Sequence, residues 1–329
     1  MNPAESYLGA PVWLPGGHAQ TIWPLAIKGG LPAYRRERWE TPDGDFIDLD
    51  WIDGSPGARP PPCVALFHGL QGSSRSHYAR ALMRAIAARG WRGVVVNFRG
   101  CSGEPNRLAR AYHSGDSAEI DWILRRLAGE RVAPLFAVGV SLGGNALLKW
   151  LGEHGEAARG VIGAAAAVSA PVDLAAASLS LSTGFNRLYA RYFLRTLIPA
   201  ALAKHRRFPG LLDSPRILAS RTLDQFDDAV TAPLHGFRDA ADYYARSSAK
   251  PLLAALRVPT LMLGAVNDPF LPARALPTGS EVAPSVRLEI SGEGGHVGFV
   301  SRDFPGRPDW LPRRLLAYFE THLPATAVS

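Results

Sequence analysis

The stretch GVSLG, residues 139–143, has the residue types and spacing of a serine nucleophile turn. It places Ser141 between an apolar run and a helix-like run. A serine on a sharp strand-to-helix turn is held above the sheet with its hydroxyl exposed, and small residues such as Gly139 and Gly143 let the backbone make that turn. A dinucleotide-binding fingerprint is excluded, because Ser141 stands where its second glycine would be. The pattern predicts a nucleophile elbow; the alternative is a glycine-rich turn that packs a helix onto a sheet.

Two later residues could complete the chemistry of such a serine. Asp268 follows the apolar run 258–264, and His296 follows a strand-like segment ending at 290 and a glycine-rich turn. The chain order serine, aspartate, histidine is that of the α/β-hydrolases, and it differs from the orders in chymotrypsin-like and subtilisin-like proteases. We expect the three side chains to meet at the carboxyl ends of parallel strands as a catalytic triad. Taken singly, Asp268 could form an Asx turn before Pro269, and His296 could be a structural or surface histidine.

The segment 63–74 predicts a further part of this site. It reads as a buried strand ending in His68 and Gly69, with another glycine shortly after. In this fold the loop after that strand donates one backbone N–H to an oxyanion hole, and the residue after the nucleophile donates the other. The donors would be the amides of Leu70 and Leu142. The alternative is a plain turn between a strand and a helix.

Strand-like and helix-like segments alternate along the chain, as in a mostly parallel sheet covered by helices on both faces. The residue pair Asp116 and Glu119 has the spacing of a capping box at the start of one helix. We therefore predict an α/β-hydrolase fold, with a core domain formed by 1–172 and 251–329. The predicted elements are a hairpin over 38–51, strands over 63–67, 93–98, 135–140, 160–168 and 258–264, and helices over 77–89, 116–127 and 310–322.

An insertion over 173–250 is predicted to form a helical cap above the site. Within it, 185–198 has amphipathic spacing, with aromatic residues on one side. One interpretation is a cap helix whose aromatic residues face an acyl pocket and whose arginines face water. The other is a basic amphipathic segment, 185–207, in transient contact with an anionic membrane surface. The arginines that recur every four residues are Arg187, Arg191 and Arg195.

Composition limits the remaining function classes. The 329 residues carry a net charge of +7, but no helix-turn-helix, zinc-ligand or RNA-binding motif is present, so we expect no nucleic-acid partner. Cys63 and Cys101 are expected to be free thiols. No apolar run approaches the ~20 residues that span a bilayer, and the first residues do not resemble a signal peptide, so a cytoplasmic location is expected. The predicted chemistry needs no metal and no organic cofactor.

Five longer motifs resemble the YheT-like branch of the α/β-hydrolases, and together they extend the resemblance to nearly the whole chain. The resemblance implies an esterase-like serine hydrolase. Relatives in the wider branch include lipid-directed hydrolases and yeast enzymes that make or cleave medium-chain fatty acid ethyl esters. The motifs are GHAQTIWP at 17–24, FHGLQGSSRSHYAR at 67–80, NFRGCSGEPNR at 97–107, YHSGD at 112–116 and GVSLGGNALLKWLGE at 139–153.

The resemblance also implies roles for single residues. The triad and oxyanion positions all match, at Ser141, Asp268, His296, Leu70 and Leu142. Hydrolysis of short- to medium-chain acyl esters through an acyl-enzyme is the expected activity. Acyl transfer to an alcohol, lipid or monoacylglycerol hydrolysis at a membrane surface, and binding without catalysis are the alternatives. Residues expected to support the site or shape its loops are His68, Gly69, Gly139, Gly143, Arg99, Tyr112 and His113.

Overall fold

A single eight-stranded sheet forms the centre of the protein. The computed structural model describes residues 7–27, 29–55, 57, 60–130 and 133–324. The strands are β1 (Arg35–Glu40), β2 (Phe46–Ile52), β3 (Cys63–Phe67), β4 (Arg92–Asn97), β5 (Leu135–Val140), β6 (Ala164–Val168), β7 (Thr260–Ala265) and β8 (Val286–Ser291). Their spatial order is β1-β2-β4-β3-β5-β6-β7-β8. β2 pairs antiparallel with β1 and β4, and every other neighbouring pair is parallel. The mostly parallel sheet that the sequence predicts is confirmed.

Helices cover both faces of this sheet. They are α1 (Gly16–Ile22), α2 (His77–Ala88), α3 (Ser117–Gly129), α4 (Leu142–His154), α5 (Leu174–Leu181), α6 (Arg187–Arg207), α7 (Ser214–Ala219), α8 (Leu223–Phe226), α9 (Ala232–His235), α10 (Ala240–Ser247) and α11 (Trp310–Glu320). Successive β5 residues point to opposite faces: Phe136 stacks on Phe319 of α11, with ring centroids 4.7 Å apart, whereas Ala137 joins the core under α3 and α4. Burial on both faces explains why these strands are continuous apolar runs.

Two local predictions are corrected. α3 begins next to Asp116 as predicted, but neither Asp116 nor Glu119 forms the capping box: Asp116 makes no side-chain cap hydrogen bond. The Glu119 carboxylate instead accepts from Arg99 at 2.6 Å. Strand β6 is shorter than predicted: the 3₁₀ turn Gly155–Gly160 ends at the predicted start of the strand, and residues 161–163 lead from that turn into β6.

The segment between β6 and β7 is helical, with α5 to α10 following one another before the 3₁₀ turn Lys250–Ala255. α6 extends beyond the predicted 198 to Arg207, through Pro199. It shares a small apolar core with α7 and α8, built around Leu194 and Ile217. The limits of the cap at 173 and 250 stay predictions.

The described ranges contain neither a membrane-spanning helix nor a metal-binding cluster. No helix there is both long and apolar enough to cross a bilayer. No group of three or more His, Cys, Asp or Glu side chains in those ranges is arranged to hold a metal ion. The cytoplasmic location and the contact of 185–207 with a membrane stay predictions.

Candidate active site

Ser141 occupies the turn between β5 and α4 with φ +53° and ψ −119°. Residues other than glycine rarely adopt a positive φ, and such strained backbone is concentrated at functional sites. The Ser141 amide donates to the carbonyl of Val168 at 2.9 Å, which ties the turn to β6. A Cβ atom on Gly139 would lie 2.5 Å from the carbonyl oxygen of Gly143, and one on Gly143 would lie 2.4 Å from that of Phe67. Both glycines are therefore required by close backbone contacts.

A hydrogen-bonded chain links Ser141 to the two residues predicted to act with it. His296 Nε2 lies 3.0 Å from Ser141 Oγ, and His296 Nδ1 lies 2.8 Å from Asp268 Oδ2. The Asp268 carboxylate is buried, and its other oxygen accepts from the Phe270 amide at 2.8 Å. Asp268 thus forms both the Asx turn and the contact with His296, one through each oxygen. With Nδ1 protonated towards Asp268, Nε2 is free to accept the hydroxyl proton of Ser141.

The loop that carries His296 has an unusual backbone. Gly294 and Gly295 have φ of +145° and +60°, and Val297 also has φ +60°, which is a rare conformation for a β-branched residue. The Val297 amide donates to Ser169 Oγ at 3.1 Å. Ser169 follows the end of β6, and no sequence pattern marks it as part of the site.

Helix α1 supports this loop, a role that no sequence pattern predicted. Thr21 Oγ1 accepts from the His296 amide at 2.9 Å. The fully buried side-chain oxygen of Gln20 accepts from the Gly294 amide and from the Asn267 side chain, both at 2.9 Å. Both α1 residues lie in the motif at 17–24, and this motif was the only sequence feature that could have pointed to them. That motif gave no indication of which loop it would contact.

The two predicted oxyanion donors lie on either side of the serine. The Gly72 amide donates to the Gly69 carbonyl at 2.9 Å, which closes a turn with Leu70 as its second residue. A Cβ on Gly69 would lie 3.1 Å from Ser141 Cβ, so this turn packs against the serine. Leu142 is the first residue of α4, where the positive end of the helix dipole lies. Among the hydrogen bonds of the described residues, neither amide acts as a donor, so both are available to an oxyanion.

His68 and Tyr112 hold the turn that carries Leu70. Buried His68 donates from Nδ1 to the Gly69 carbonyl at 2.8 Å, and its Nε2 accepts from the Phe98 amide at 3.1 Å. Burial lowers the pKa of His68 to about 4, so the ring is neutral near pH 7, as this donor and acceptor arrangement requires. The Tyr112 hydroxyl accepts from the Gln71 amide at 2.9 Å. Both residues contact the loop, and neither forms a hydrogen bond with Ser141, Asp268 or His296 in the described structure.

Arg99 lies in a buried ionic cluster, away from the hydrogen-bonded chain of Ser141. Its guanidinium donates to Glu119 at 2.6 Å, to Asp43 at 2.9 Å and to Asp45 at 3.3 Å. Arg99, Asp45 and Glu119 have almost no exposed side-chain surface. The cluster joins the turn of the β1–β2 hairpin to α3. Arg99 thus contacts the β1–β2 hairpin and α3, and its role in supporting the site or shaping its loops stays a prediction.

His113 packs between the core and the helices that precede β7. Its ring centroid lies 4.4 Å from that of His235 and 5.8 Å from that of Tyr243. Burial lowers the pKa of His113 to about 4, and its Nδ1 accepts from the Gly115 amide at 3.1 Å. The structure gives His113 a contact with the cap region and none with Ser141.

Aromatic residues cover His296 on its outer side. The Phe270 ring stacks on the imidazole with centroids 4.1 Å apart. Tyr189 and Phe193 of α6 contact Phe270 at 4.8 and 6.1 Å. Two further apolar side chains of α5, Ala177 and Leu181, belong to the same cluster. The inner aromatic residues of the predicted amphipathic segment thus line the approach to His296.

Comparison with known proteins agrees with this architecture. The profile of the alpha/beta hydrolase fold family matches residues 62–303. The Pyrococcus furiosus esterase PF2001 superposes with a TM-score of 0.55 over 88% of this chain and 92% of that chain. Its 17% identity shows a shared fold and nothing finer.

Two relatives are similar in sequence along most of the chain. The Escherichia coli protein named "Putative esterase YheT" is 42% identical over 314 residues, which cover 94% of this chain and 91% of that protein. The human phospholipase ABHD3 is 31% identical over 311 residues, covering 92% of this chain and 76% of that protein. The chain belongs to the α/β-hydrolase family, in its YheT-like branch.

Proposed function

We propose that this protein is a serine-dependent carboxylic ester hydrolase that acts through an acyl-enzyme on short- to medium-chain acyl esters. The observation that carries the proposal is the hydrogen-bonded chain from Ser141 through His296 to Asp268, at 3.0 and 2.8 Å. The names of its relatives, which include esterases and a phospholipase, favour an ester bond as the target.

The residues of the site suggest the order of steps. Ser141 Oγ attacks the ester carbonyl carbon while His296 Nε2 takes the hydroxyl proton, and Asp268 orients the imidazole and stabilises its cation. The Leu70 and Leu142 amides donate to the resulting oxyanion, each worth on the order of 10²–10³ in rate. Collapse of this intermediate breaks the bond to the alcohol, which leaves with the proton from His296. Water, deprotonated by His296, then attacks the acyl carbonyl carbon. The bond to Ser141 Oγ breaks, the carboxylic acid leaves, and His296 returns the proton to Ser141.

The surroundings of His296 favour an apolar acyl group. Phe270 stacks on the imidazole, and its neighbours Leu181, Tyr189 and Phe193 form an apolar wall. None of these four side chains carries a charge. An acyl chain lying against this wall would be removed from water, whereas a charged substrate group would lose hydration without gaining a partner.

The test compares release of p-nitrophenol from esters of two to sixteen carbons by wild type and Ser141→Ala. We expect turnover to fall on the order of 10⁶-fold in the variant if the three residues act as a unit. Ser280→Ala removes an exposed hydroxyl elsewhere on the surface and serves as the matched control. A fluorophosphonate should add to wild type and to the control at Ser141, as located by peptide mass spectrometry.

Two results would argue against the proposal. The first is Ser141→Ala retaining most of the activity. The second is fluorophosphonate labelling at a different serine. Addition of ethanol to the same assay distinguishes hydrolysis from acyl transfer, because a transferase would form the ethyl ester in preference to the free acid.

A further inference from the structure

The outward side of α6 carries large apolar side chains that are at least half exposed. Leu188 is 51% exposed and Tyr192 is 64% exposed, and Phe185, just before the helix, is 54% exposed. The opposite side of the helix is buried through Ala190, Leu194 and Ala201. We call this surface the α6 outer face; it comprises Phe185, Arg187, Leu188, Arg191, Tyr192 and Arg195.

The cations of the α6 outer face have no acidic partners. Arg187, Arg191 and Arg195 are exposed, and within the described structure none of them forms an ion pair or a side-chain hydrogen bond. Most exposed arginines elsewhere, such as Arg125, are paired with a carboxylate. The chain has no acidic residue from 178 to 212. The face therefore combines apolar side chains with uncompensated positive charge.

The cations in the C-terminal part of α6, unlike those of the outer face, form hydrogen bonds with the rest of the protein. The Lys204 ammonium donates to the Asn106 side chain and to the carbonyl of Leu108, at 2.9 and 3.0 Å. Arg207 donates to the carbonyl of Asn106 at 2.7 Å. These two cations anchor the helix to the core. The predicted basic segment 185–207 thus separates into a free half and an anchoring half.

A series of ring contacts joins the α6 outer face to His296. The Phe185 and His18 rings lie 4.6 Å apart, and the Tyr189 hydroxyl lies 3.1 Å from His18 Nδ1. Tyr189 in turn contacts Phe270, which stacks on His296. An apolar molecule leaving a surface that covers Phe185 would meet aromatic side chains along the way to His296.

We propose that the α6 outer face docks on an anionic lipid bilayer. Phe185, Leu188 and Tyr192 enter the interface, and the three arginines lie at the level of the lipid phosphates. Charge complementarity selects this occupant, because three unpaired guanidinium groups beside apolar side chains match a surface that is apolar beneath and anionic above. Binding does not depend on catalysis. Delivery of a lipid ester to Ser141 is a consequence that does rest on the proposed function.

Co-sedimentation with vesicles tests the docking. Wild type should bind vesicles of phosphatidylglycerol and phosphatidylcholine at low ionic strength, should not bind phosphatidylcholine alone, and should be released by high salt. Each basic residue near an anionic surface contributes roughly fivefold, so replacing all three arginines by Gln should weaken partitioning on the order of a hundredfold. Leu188→Gln with Tyr192→Gln should also weaken it. The matched control is the triple variant Arg125→Gln, Arg257→Gln and Arg313→Gln. It removes the same number of charges from exposed positions outside α6.

Three outcomes would overturn the docking proposal. They are equal binding of the two triple variants, absence of binding to anionic vesicles, and a wild-type dimer in light scattering that Leu188→Gln with Tyr192→Gln makes monomeric. The last outcome would identify a second copy as the occupant. Ser141→Ala should bind vesicles as wild type does. The two proposals can therefore fail separately. Vesicle binding without ester hydrolysis would contradict the proposed function alone, and ester hydrolysis without vesicle binding would contradict the docking alone.

Discussion

Thr21 Oγ1 accepts a hydrogen bond from the His296 amide at 2.9 Å, although the two residues lie 275 positions apart in the chain. The Thr21 hydroxyl donates its own hydrogen to the Gly17 carbonyl at 2.6 Å. Its lone pair is therefore directed to the loop of His296. A residue near the beginning of the chain holds the backbone of the candidate general base.

Replacing Thr21 by Val should impair turnover without unfolding the protein. The substitution keeps the shape of the side chain and removes the acceptor, so the His296 amide loses its partner and the backbone that positions the imidazole is less restrained. Small displacements of reacting groups cost up to about 10²-fold in rate; we expect kcat to fall on the order of tenfold to a hundredfold with KM little changed. Steady-state kinetics on a p-nitrophenyl ester measures both constants.

Two further variants make this result specific. Thr21→Ser retains the hydroxyl and should restore most of the activity. Thr321→Val removes a threonine hydroxyl that donates to the Tyr318 carbonyl at the end of α11, and it should leave kcat unchanged. Equal kcat values for wild type and Thr21→Val would show that this hydrogen bond does not position His296.

Gly69 and Gly143 should respond differently to substitution by Ala. An alanine methyl at 69 would lie 3.1 Å from Ser141 Cβ, whereas one at 143 would lie 2.4 and 2.6 Å from the carbonyl oxygens of Phe67 and His68. Gly69→Ala should shift the serine by tenths of an ångström and lower kcat with about 1 kcal/mol or less of stability lost. Gly143→Ala should force α4 from β3 and cost roughly 3 kcal/mol.

Denaturant unfolding and esterase kinetics measure the two effects separately. Gly160→Ala is the control, because a Cβ there meets nothing within 4 Å. A Gly143→Ala protein as stable as the control would mean that α4 can move away from the strand at little cost.

The sequence predicted those parts of the site that follow from local pattern. The turn at Ser141, the residues after β7 and β8, and the turn at Leu70 all follow strand-like runs, and parallel strands bring their carboxyl ends to one edge. The roles of Gln20, Thr21 and Ser169 were missed because their partners lie far away in the chain. No periodicity records which loop a short helix will contact.

The capping box at Asp116 and Glu119 failed for a related reason. The spacing matched, but a buried guanidinium competes for the carboxylate more strongly than a backbone amide does. Glu119 therefore bonds to Arg99, which comes from a different loop. A local rule gave way to a tertiary ion pair that the sequence did not reveal.

Tyr112→Phe should weaken the candidate oxyanion turn. The Tyr112 hydroxyl accepts from the Gln71 amide at 2.9 Å, and Gln71 has φ +54°, so the turn beside Leu70 is strained. Loss of the acceptor should let that turn relax and move the Leu70 amide. We expect kcat to fall about tenfold, with a stability loss of about 1 kcal/mol, the usual value of one such hydrogen bond.

Tyr192→Phe is the matched control for that variant, because Tyr192 is mostly exposed on α6. Affinity for a boronic acid, which forms an oxyanion on the serine, gives an independent measure. It should decrease in Tyr112→Phe in proportion to kcat. An unchanged boronate affinity would mean that Tyr112 does not affect the oxyanion donors.

Asp43→Asn should lower the free energy of unfolding at neutral pH, and this difference from wild type should disappear in acid. Burial opposes ionisation of Asp43, but hydrogen bonds from Thr41 and Arg99 outweigh it and lower the pKa to about 2. A carboxyl group with a lowered pKa in the folded state stabilises the protein above its unfolded pKa near 4, and this contribution disappears as the pH falls towards 2. We expect about 1–2 kcal/mol at pH 7, less than the full shift implies, because the Asp43 side chain is 33% exposed.

Urea unfolding of wild type and Asp43→Asn at several pH values between 7 and acid conditions measures this difference. The gap in unfolding free energy should be constant down to about pH 4 and should narrow below it. Asp303→Asn changes an exposed aspartate and should show a small gap throughout. Arg99→Met should be the most destabilising change in the cluster, at roughly 3–5 kcal/mol, because it leaves Asp45 and Glu119 buried without their cation. A gap for Asp43→Asn that widens in acid would reverse the assigned direction of the pKa shift.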